Sequence, residues 1–426
     1  MNYENNLEFA LMCDQNDPLA SYRNEFIFPQ INGKQALYFT GNSLGLQPKN
    51  VSSAIQDELN QWGQLAVEGH FHGKNPWFHY HKRFKSGSAM LMGAKPAEVV
   101  LMNTLTANLH FLMVSFYRPN AQRYKIICEA KAFPSDQYAL ETQVKFHGYS
   151  PEDAIIEVSP REGEHTLRQE DILKTIEAHR EELALVMFGG VNYYTGQVLD
   201  MKEITKAGHQ AGAVVGFDLA HAAGNIKLSL HEWGVDFACW CTYKYINGGP
   251  GSIAGIFVHE KHGKNAALPR FAGWWGHEEE TRFLMKPGFQ PMEGADGWQM
   301  SNAPVLALAP IKASLDIFEA VGIDSLIDKQ RKLTGYLEFI VKQISNEIDG
   351  VGFEIITPEN PEERGCQLSI LLHGFDKQLF DFLLQHGVIG DWREPNVIRI
   401  APVPLYNSFQ DVFEFGQLLK QGVLKS

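Results

Sequence analysis

The chain has 426 residues, of which 44% are hydrophobic, and its formal net charge is −13. A chain of this length is too long to fold around one small hydrophobic core, so we expect about two domains. No block rich in Lys and Arg offsets the acidic charge, and nucleic acid is therefore not an expected partner.

The first residues, 1–17, are polar and acidic, without the basic and apolar regions of a secretory signal. The sequence also contains no run of about 18 apolar residues that would predict a transmembrane helix. The five cysteines are sparse and odd in number, and only Cys239 and Cys241 are close together. On one strand these two would share a face, where successive neighbours rarely form a disulfide. A reduced, cytoplasmic protein is the simplest expectation.

Short apolar runs alternate with amphipathic stretches through the N-terminal two thirds of the chain. This alternation predicts crossover units and a largely parallel sheet, whose ligands gather beyond the carboxyl ends of the strands. The predicted strands are 99–102, 124–129, 183–188, 213–217, 237–242 and 252–259, and the predicted helices between them include 106–117 and 204–211.

The pattern changes after Asn302, where apolar residues recur at three- and four-residue spacing, as in long helices. The expected helices are 307–321, 327–348, 377–386 and 409–419, and the expected strands are 353–357, 366–372 and 397–400. They predict an α+β C-terminal domain. We place a large domain at 36–302, a small domain at 303–426, and an N-terminal segment, 1–35, against the small domain. No internal repeat or long linker is evident, so the domains are expected to share an interface.

The most informative segment, 216–251, contains Asp218, His221, Tyr243 and Lys244. A lysine that forms a Schiff base must lose its proton near neutral pH although its free pKa is about 10.4, and the apolar run before Lys244 suits this need. Pyridoxal phosphate, as an electron sink, also needs a fixed carboxylate at its ring nitrogen, and Asp218 is the candidate. Taken singly, Lys244 could be a solvated loop residue, Asp218 a helix N-cap and His221 a core histidine. Their joint pattern at two strand ends favours the cofactor site.

Two further segments suit the same cofactor. Thr106 lies where a predicted strand turns into a helix, and anions bind well at helix N-termini, although an ordinary Thr N-cap is the alternative. Phe133 and Asp136 follow the next strand, where an aromatic ring could stack on the pyridine face. The alternative for Phe133 is packing beneath its own turn.

Many longer strings of the sequence carry a resemblance to a known family. They are GNSLGLQP at 41–48, GHFHGKNPW at 69–77, MNTLTANLH, FPSDQYA, YYTGQ at 193–197, FDLAHAAGN, GVDFACWCTYKYINGG, GWWGH at 273–277, SNAP from Ser301, ERGCQL, and RIAPVPLYNS at 399–408. In these strings and in their order, over nearly the whole chain, the sequence resembles the kynureninase family.

The resemblance implies an α/β protein of the fold type I class, with a mainly parallel seven-stranded sheet in the large domain and a smaller α+β C-terminal domain. It implies pyridoxal phosphate as cofactor and hydrolysis of the Cβ–Cγ bond of L-kynurenine or its 3-hydroxy form. The products would be an anthranilate and L-alanine, in tryptophan catabolism or NAD biosynthesis. It also implies a homodimer with shared active sites.

The implied site residues form three groups. The catalytic residues are Lys244, Tyr243 and Asp218. The cofactor-binding residues are Leu105, Thr106, Phe133, Pro134, Ser135, Asp136, Gly189, Asp218, His221, Tyr243, Lys244, Trp274 and Asn302. The substrate-binding residues are Arg399, His70, Ser43, Asn302 and Trp275, and no metal ligand is implied.

Arg399 also suits its implied role on chemical grounds, because a planar guanidinium binds a carboxylate through two hydrogen bonds. A surface ion pair is the alternative for this residue. His70 and the Ser301-Asn302 pair can hydrogen-bond an aryl hydroxyl, and in the family such residues favour 3-hydroxykynurenine.

Two alternative functions stay open on the sequence. A cysteine desulfurase or selenocysteine lyase of the same superfamily needs a nucleophilic cysteine on a mobile loop. Cys366 is the only late cysteine, and its apolar flank predicts a buried strand, where thiols are usually inert. A non-catalytic module that binds pyridoxal phosphate would be expected to lack the lysine, the aspartate or the arginine, and this sequence retains all three.

Overall fold

The computed structural model describes residues 2–348 and 352–425. Its strands are β1 (Phe26–Ile27), β2 (Gln30–Ile31), β3 (Lys34–Gln35), β4 (Leu37–Tyr38), β5 (Gln47–Pro48), β6 (Val99–Leu101), β7 (Lys125–Glu129), β8 (Ile155–Val158), β9 (Leu183–Gly189), β10 (Val214–Asp218), β11 (Phe237–Trp240), β12 (Gly255–Val258), β13 (Gly352–Ile355), β14 (Leu368–His373), β15 (Val388–Ile389), β16 (Asp391–Arg393) and β17 (Val397–Ile400). Its α-helices are α1 (Leu7–Gln15), α2 (Val51–Leu65), α3 (Lys85–Met92), α4 (Leu105–Phe116), α5 (Pro134–Phe146), α6 (Pro151–Ala154), α7 (Gln169–Ala178), α8 (Met201–Gln210), α9 (Leu230–Trp233), α10 (Glu260–Gly263), α11 (Val305–Val321), α12 (Ile323–Glu347), α13 (Lys377–Gln385) and α14 (Phe409–Val423).

The central sheet has seven strands in the order β6-β12-β11-β10-β9-β7-β8. Strands β7 to β11 pair in parallel, and β12 runs antiparallel to both of its neighbours, β11 and β6. Helices follow the strands as crossover connections, and the central strands are almost wholly buried, as in sheets covered on both faces. The predicted, mainly parallel seven-stranded sheet is confirmed.

The first and last residues of the predicted strands lie within three residues of the observed bounds, and those of the predicted helices lie within four. The largest strand difference is at β12, which begins at Gly255 because Gly249 and Gly251 adopt left-handed backbone conformations in the preceding loop. Strand β8 was not predicted. It lies at the edge of the sheet and contains the exposed Glu157, so its sequence lacks the unbroken apolar run of a central strand.

The C-terminal part contains a four-stranded antiparallel sheet in the order β13-β14-β17-β16. Helices α12 and α13 each pack against α14, and α12 also packs against β13 and β14, in a core that includes Leu337, Ile340 and Phe415. Helix α1 adds Phe9 and Ala10 to the same core, and β4 pairs with β15. The N-terminal residues therefore pack with the C-terminal sheet, and the boundaries at 35 and 302 remain our proposal.

The five cysteines are all buried and unpaired, which confirms the prediction that Cys239 and Cys241 form no disulfide. Their predicted placement on one strand is wrong for Cys241, because β11 ends at Trp240 where the chain turns towards the lysine loop. Among residues 2–348 and 352–425, no helix combines the length and the apolar character needed to cross a membrane.

Candidate active site

A cavity of about 240 Å³ opens at the carboxyl ends of β7, β9 and β10. Sheets of this type collect ligands at this edge, because loops and helix N-termini converge there. The cavity is lined by Thr104, Leu105, Thr106, Glu129, Phe133, Ser135, Asp136, Gly189, Val191, Tyr193, Asp218, Ala220, His221, Tyr243 and Lys244. Most of the residues predicted to bind the cofactor thus lie around one space.

Lys244 lies in the loop after β11, and its Nζ is 2.9 Å from Nε2 of His221. Burial, helped by the positive charge of Lys244, holds the pKa of His221 well below its usual range. The imidazole is therefore neutral and accepts a hydrogen bond from the lysine. Two backbone hydrogen bonds fix the loop, from the Gly45 N–H to the Tyr243 carbonyl at 2.8 Å and from the Asn247 N–H to the Lys244 carbonyl at 2.9 Å.

Asp218 ends β10 and is buried, and its Oδ1 accepts a hydrogen bond of 2.6 Å from the Ala220 N–H. No helix begins there, so the N-cap alternative for Asp218 does not apply. Asp136, in the first turn of α5, hydrogen-bonds the carboxylate of Asp218. Burial raises the pKa of Asp136 well above its usual range, and the negative charge of Asp218 raises it further. Burial also raises the pKa of Asp218, but the Ala220 N–H, Asp136 and Lys244 oppose that rise, so Asp136 is the member of the pair that holds a proton more readily.

Glu129 is a cavity residue that the sequence analysis missed. It ends β7 and is buried, and burial raises its pKa to about 7, with a further contribution from the charge of Asp218. Hydrogen bonds from the Asn192 side chain and the Gly189 backbone oppose that rise. A signal was present in the sequence, because a glutamate closes the apolar run of β7 just as Asp218 closes that of β10.

Two helix N-termini meet at the cavity, those of α4 and α5. Thr104 is the N-cap of α4 and makes no side-chain capping hydrogen bond, so backbone N–H groups of the first turn are left for another acceptor. The hydroxyl of Thr106 lies beside them, and Ser135 lines the cavity from the first turn of α5. Free N–H groups and hydroxyls at a helix N-terminus are suited to a phosphate.

Phe133 lines the cavity with 41% of its surface exposed, so it does not pack beneath its own turn. Its ring meets that of Tyr193 edge-on, with centroids 5.3 Å apart and an interplanar angle of 80°. Nζ of Lys244 lies 5.8 Å from the centroid of the Phe133 ring. An aromatic face therefore borders the space into which the lysine projects.

Arg399 lies on β17 and is 1% exposed, so its alternative as a surface ion pair does not apply. Its Nη2 pairs with Oδ2 of Asp391 at 2.5 Å, and its Nη1 donates to the carbonyl of Tyr193, a cavity residue. Its Nε has no hydrogen-bond partner among the described residues. The guanidinium thus lies just behind the cavity wall, and its Nε–H group is available for a ligand as far as the described residues are concerned.

Several predicted site residues do not line the cavity. Ser43, Trp274 and Asn302 are exposed, and His70 is half-buried, with Nδ1 3.0 Å from the Val67 carbonyl. Trp275, which is buried with its ring 4.3 Å from the guanidinium of Arg282, and Pro134, the first residue of α5, also do not line the cavity. The first four face outward on this single chain.

The residues around the cavity fit pyridoxal phosphate. An amine, a buried carboxylate, an aromatic face and two helix N-termini lie around one space. Buried polar atoms, among them Oδ1 of Asp136 and Nδ1 of His221, also have no hydrogen-bond partner in the part of the chain that the structure describes. Buried polar groups are rarely left unpaired unless they serve a ligand or a chemical step.

The sequence is similar throughout its length to curated proteins named kynureninase. It is 62% identical over 426 residues to kynureninase of Flavobacterium psychrophilum, covering 100% of both chains. It is 60% identical over 424 residues to that of Flavobacterium johnsoniae, again covering 100% of both. Over 420 residues it is 53% identical to that of Myxococcus xanthus, covering 98% of this chain and 97% of the relative. The kynureninase C-terminal domain family model matches residues 326–419.

Solved structures share the fold at much lower identity. A cysteine desulfurase from Thermococcus onnurineus superposes with a TM-score of 0.74 at 17% identity, covering 92% of this chain and 95% of that one. A cysteine desulfurase from Escherichia coli gives a TM-score of 0.74 at 16% identity, covering 96% and 98%. A C-DES mutant with glycine linked to its pyridoxal phosphate gives 0.72 at 15%, covering 90% and 96%. These likenesses show the fold, which is the fold type I architecture expected from the sequence.

Proposed function

This chain belongs to the kynureninase family, and from that premise we propose how its residues carry out the family's reaction. It is a pyridoxal phosphate enzyme that hydrolyses kynurenine at the Cβ–Cγ bond, giving an anthranilate and L-alanine. The observation that carries the residue assignments is the convergence of Lys244 and Asp218, from separate strand ends, on one cavity.

When bound, pyridoxal phosphate supplies an electron sink for the bonds at the substrate's α and β carbons. Lys244 is the covalent attachment point and the base for the α-proton. The neutral His221 accepts a hydrogen bond from its Nζ and keeps the amine directed into the cavity. Asp218 keeps its negative charge at the inner end of the cavity, where a protonated ring nitrogen gains a charged partner.

Tyr243 is our candidate for the proton donor when the Cβ–Cγ bond breaks. Burial raises the pKa of its hydroxyl above the ordinary value, and the neighbouring Cys241 raises it further, so the group keeps its proton throughout the neutral range. An acid of this kind can donate a proton to a developing carbanion, although it does not ionise in the resting site. Lys244, which lines the same cavity, is the other candidate for these transfers.

Arg399 is proposed to bind the α-carboxylate of the substrate. Its buried guanidinium is held from behind by Asp391 and by the carbonyl of Tyr193, and its Nε remains available. Because it is desolvated, a carboxylate that reaches it forms a strong charge-assisted hydrogen bond. Binding here would place the amino group of the substrate towards Lys244.

We propose that the enzyme is a homodimer and that Trp274, Asn302 and His70 complete the site of the partner subunit. Trp274 and Phe283 are 44% and 50% exposed, and their ring centroids lie 5.4 Å apart. The Phe283 ring lies 5.6 Å from that of Phe78, so the surface has a continuous aromatic cluster. Exposed apolar clusters of this kind mark protein interfaces.

Mixing two inactive variants tests the shared site. If Lys244 and Trp274 of one site come from different subunits, then co-expressed Lys244→Ala and Trp274→Ala chains form hybrid dimers that contain one intact site. The hybrid should recover activity that neither variant has alone, measured as anthranilate fluorescence. A mixed preparation as inactive as its parents, with hybrid dimers confirmed by mass, would contradict the shared site.

The preference for 3-hydroxykynurenine is a separate proposal, supported by the hydrogen-bonding groups of His70 and Asn302 in the sequence. A site built to pair with a hydroxyl loses binding energy when the substrate lacks it. The ratio of kcat/KM for 3-hydroxykynurenine over kynurenine should therefore exceed one, and a ratio below one would refute the preference. A cytoplasmic location is also proposed, supported by the five unpaired thiols.

The desulfurase alternative loses support from the position of Cys366. This residue is 1% exposed, and burial raises the pKa of its thiol, which disfavours the nucleophilic thiolate. The alternative of a non-catalytic module loses support because lysine, aspartate and arginine are all retained around the cavity.

The assigned role of Lys244 is tested by ultraviolet-visible spectra of the purified protein with pyridoxal phosphate, before and after L-kynurenine is added. Wild-type protein should show the visible band of bound cofactor and then release anthranilate. Lys244→Ala should lose the band and the turnover together, whereas the exposed Lys202→Ala should keep both. Steady turnover by Lys244→Ala would refute the assigned role.

A further inference from the structure

Glu129 on β7 and Asp218 on β10 lie at the same edge of the sheet, one strand apart. Strand β9 separates β7 from β10, and its last residue, Gly189, is the register partner of Asp218. A Cβ on Gly189 would lie 3.0 Å from Oε1 of Glu129, closer than nearly all real contacts of this kind. The missing side chain at Gly189 therefore leaves the space that the Glu129 carboxyl occupies beside the cavity.

The carboxyl of Glu129 is held at one oxygen and free at the other. The Asn192 side chain and the Gly189 backbone hydrogen-bond it, while Oε2 is buried without any partner among the described residues. The side chain is 4% exposed and lines the cavity. A buried carboxyl of this kind needs an explanation, because an unpaired buried oxygen is costly unless it serves a ligand or a chemical step.

The charged groups that face Glu129 across the cavity are mainly acidic. Asp218 on β10 and Asp136 on α5 both interact with it electrostatically. The cation in the lining of the cavity is Lys244, which lowers the pKa of both Asp136 and Asp218 and contacts the neutral His221. Among the described residues that line the cavity, three carboxyls therefore share one buried region with one lysine.

We propose that Glu129 is a positioning residue that sets how Asp136 and Asp218 ionise, and thereby the charge that the chain presents to the ring nitrogen of the cofactor. While Glu129 is protonated, Asp218 is the sole negative charge of the group. When Glu129 ionises, the group gains a second negative charge, which favours a proton on Asp136 and on any base beside Asp218. This inference rests on the proposed function, because it requires pyridoxal phosphate in the cavity.

The pH range fits this role. Because burial raises its pKa to about 7, Glu129 changes its charge in the range in which a cytoplasmic enzyme works. A site in which the negative charge increases above neutrality keeps a cationic ring nitrogen protonated to higher pH. The electron-withdrawing form of the cofactor would thus be maintained over a wider range than Asp218 alone allows.

The test is a pH titration of the visible absorbance of the holoenzyme, with Glu129→Gln as the variant. Glutamine has the shape of the protonated acid and cannot ionise, so the midpoint should fall by about one pH unit or more. The control is Glu157→Gln, on the adjacent strand β8, where the carboxyl is exposed. Its titration should match that of the wild type. Equal midpoints for Glu129→Gln and wild type would overturn the proposal.

A second variant keeps the proposal testable if Glu129→Gln binds no cofactor. Asn192→Ser removes the amide donor to Glu129 without adding a charge, and the serine hydroxyl can still accept from the Thr195 N–H, which Oδ1 of Asn192 accepts at 2.9 Å. The pKa of Glu129 should then rise, so Glu129 stays protonated to higher pH and the midpoint of the cofactor titration should fall, as in Glu129→Gln. An unmoved midpoint would overturn the proposal. If wild-type protein shows no visible band with pyridoxal phosphate, the proposed function itself fails, and that outcome is distinct from a wild-type band with unshifted variants.

Discussion

Gly45 lies against the backbone of the catalytic loop, and replacing it by alanine should impair catalysis more than folding. A Cβ there would lie 2.4 Å from the Lys244 carbonyl oxygen and 2.2 Å from Oδ1 of Asn247, whereas ordinary contact begins at 3.4 Å. The clash is with the Asn247 side chain and with backbone atoms of Lys244 and Asn247, so about 1 Å of movement must come from the turn that carries Lys244. Misplacing a catalytic group by 1 Å costs roughly 100-fold in rate.

The free energy of unfolding should fall by only about 1–3 kcal/mol, the usual cost of overpacking. The assay is anthranilate release by cofactor-saturated protein, with thermal unfolding measured on the same preparation. We expect Gly45→Ala to keep the visible band, because Lys244 itself is present, and to lose about 10- to 100-fold in kcat.

The matched control is Gly63→Ala in α2, where the new Cβ would meet no atom within 4 Å. There the substitution should raise the free energy of unfolding by about 0.5–1 kcal/mol, because alanine is the better helix former, and leave activity unchanged. Full activity of Gly45→Ala would refute the reasoning that the loop of Lys244 is held in place by contact with the 41–48 segment.

Three further predictions follow from the same geometry. Arg399→Lys keeps the positive charge but loses the planar guanidinium, so KM for kynurenine should rise about 10-fold or more while kcat changes less. Steady-state kinetics that show an unchanged KM would contradict carboxylate binding at this position. Cys366→Ala should keep kynurenine cleavage and lose about 1 kcal/mol of stability, whereas complete loss of activity in a folded protein would restore the desulfurase reading. Folding raises the pKa of Glu129 from 4.5 to about 7, so the folded protein holds this proton more tightly than the unfolded chain does. As pH rises from about 4.5 to above 7, the free energy of unfolding of the cofactor-free wild type should therefore fall by about 3 kcal/mol relative to that of Glu129→Gln. Parallel denaturant curves for the two proteins at both pH values would contradict the last of these predictions.

The central strands and the residues that follow them could be predicted because their signals are local. Apolar runs of strand length mark β7, β10 and β11, and the polar residues that close or follow these runs fall at the ligand-binding edge by the geometry of parallel sheets. Asp218 and Lys244 are identified in this way.

Glu129 was missed although it obeys the same rule. A glutamate is usually exposed, and its burial here depends on Gly189, a residue of another strand. The edge strand β8 was missed for a related reason, since its half-exposed residues follow no clear period. The burial of Glu129 and the pairing of β8 both depend on residues that are distant in the sequence, so no local pattern predicts them.

The interface between the two domains also depends on contacts between residues that are distant in the sequence. It affects how the substrate is bound. The carbonyl of Tyr193 accepts a hydrogen bond from Arg399, and the carbonyl of Tyr194 accepts one from Ser369 of β14. The Tyr193 ring packs edge-on against Phe133 at 5.3 Å. One short loop therefore joins the guanidinium proposed to bind the substrate to the ring proposed to stack on the cofactor. A displacement of the small domain would move Arg399 relative to Phe133 and strain the Tyr193 loop that contacts both. The distance between the substrate carboxylate and the cofactor therefore depends on the interface and on neither domain alone.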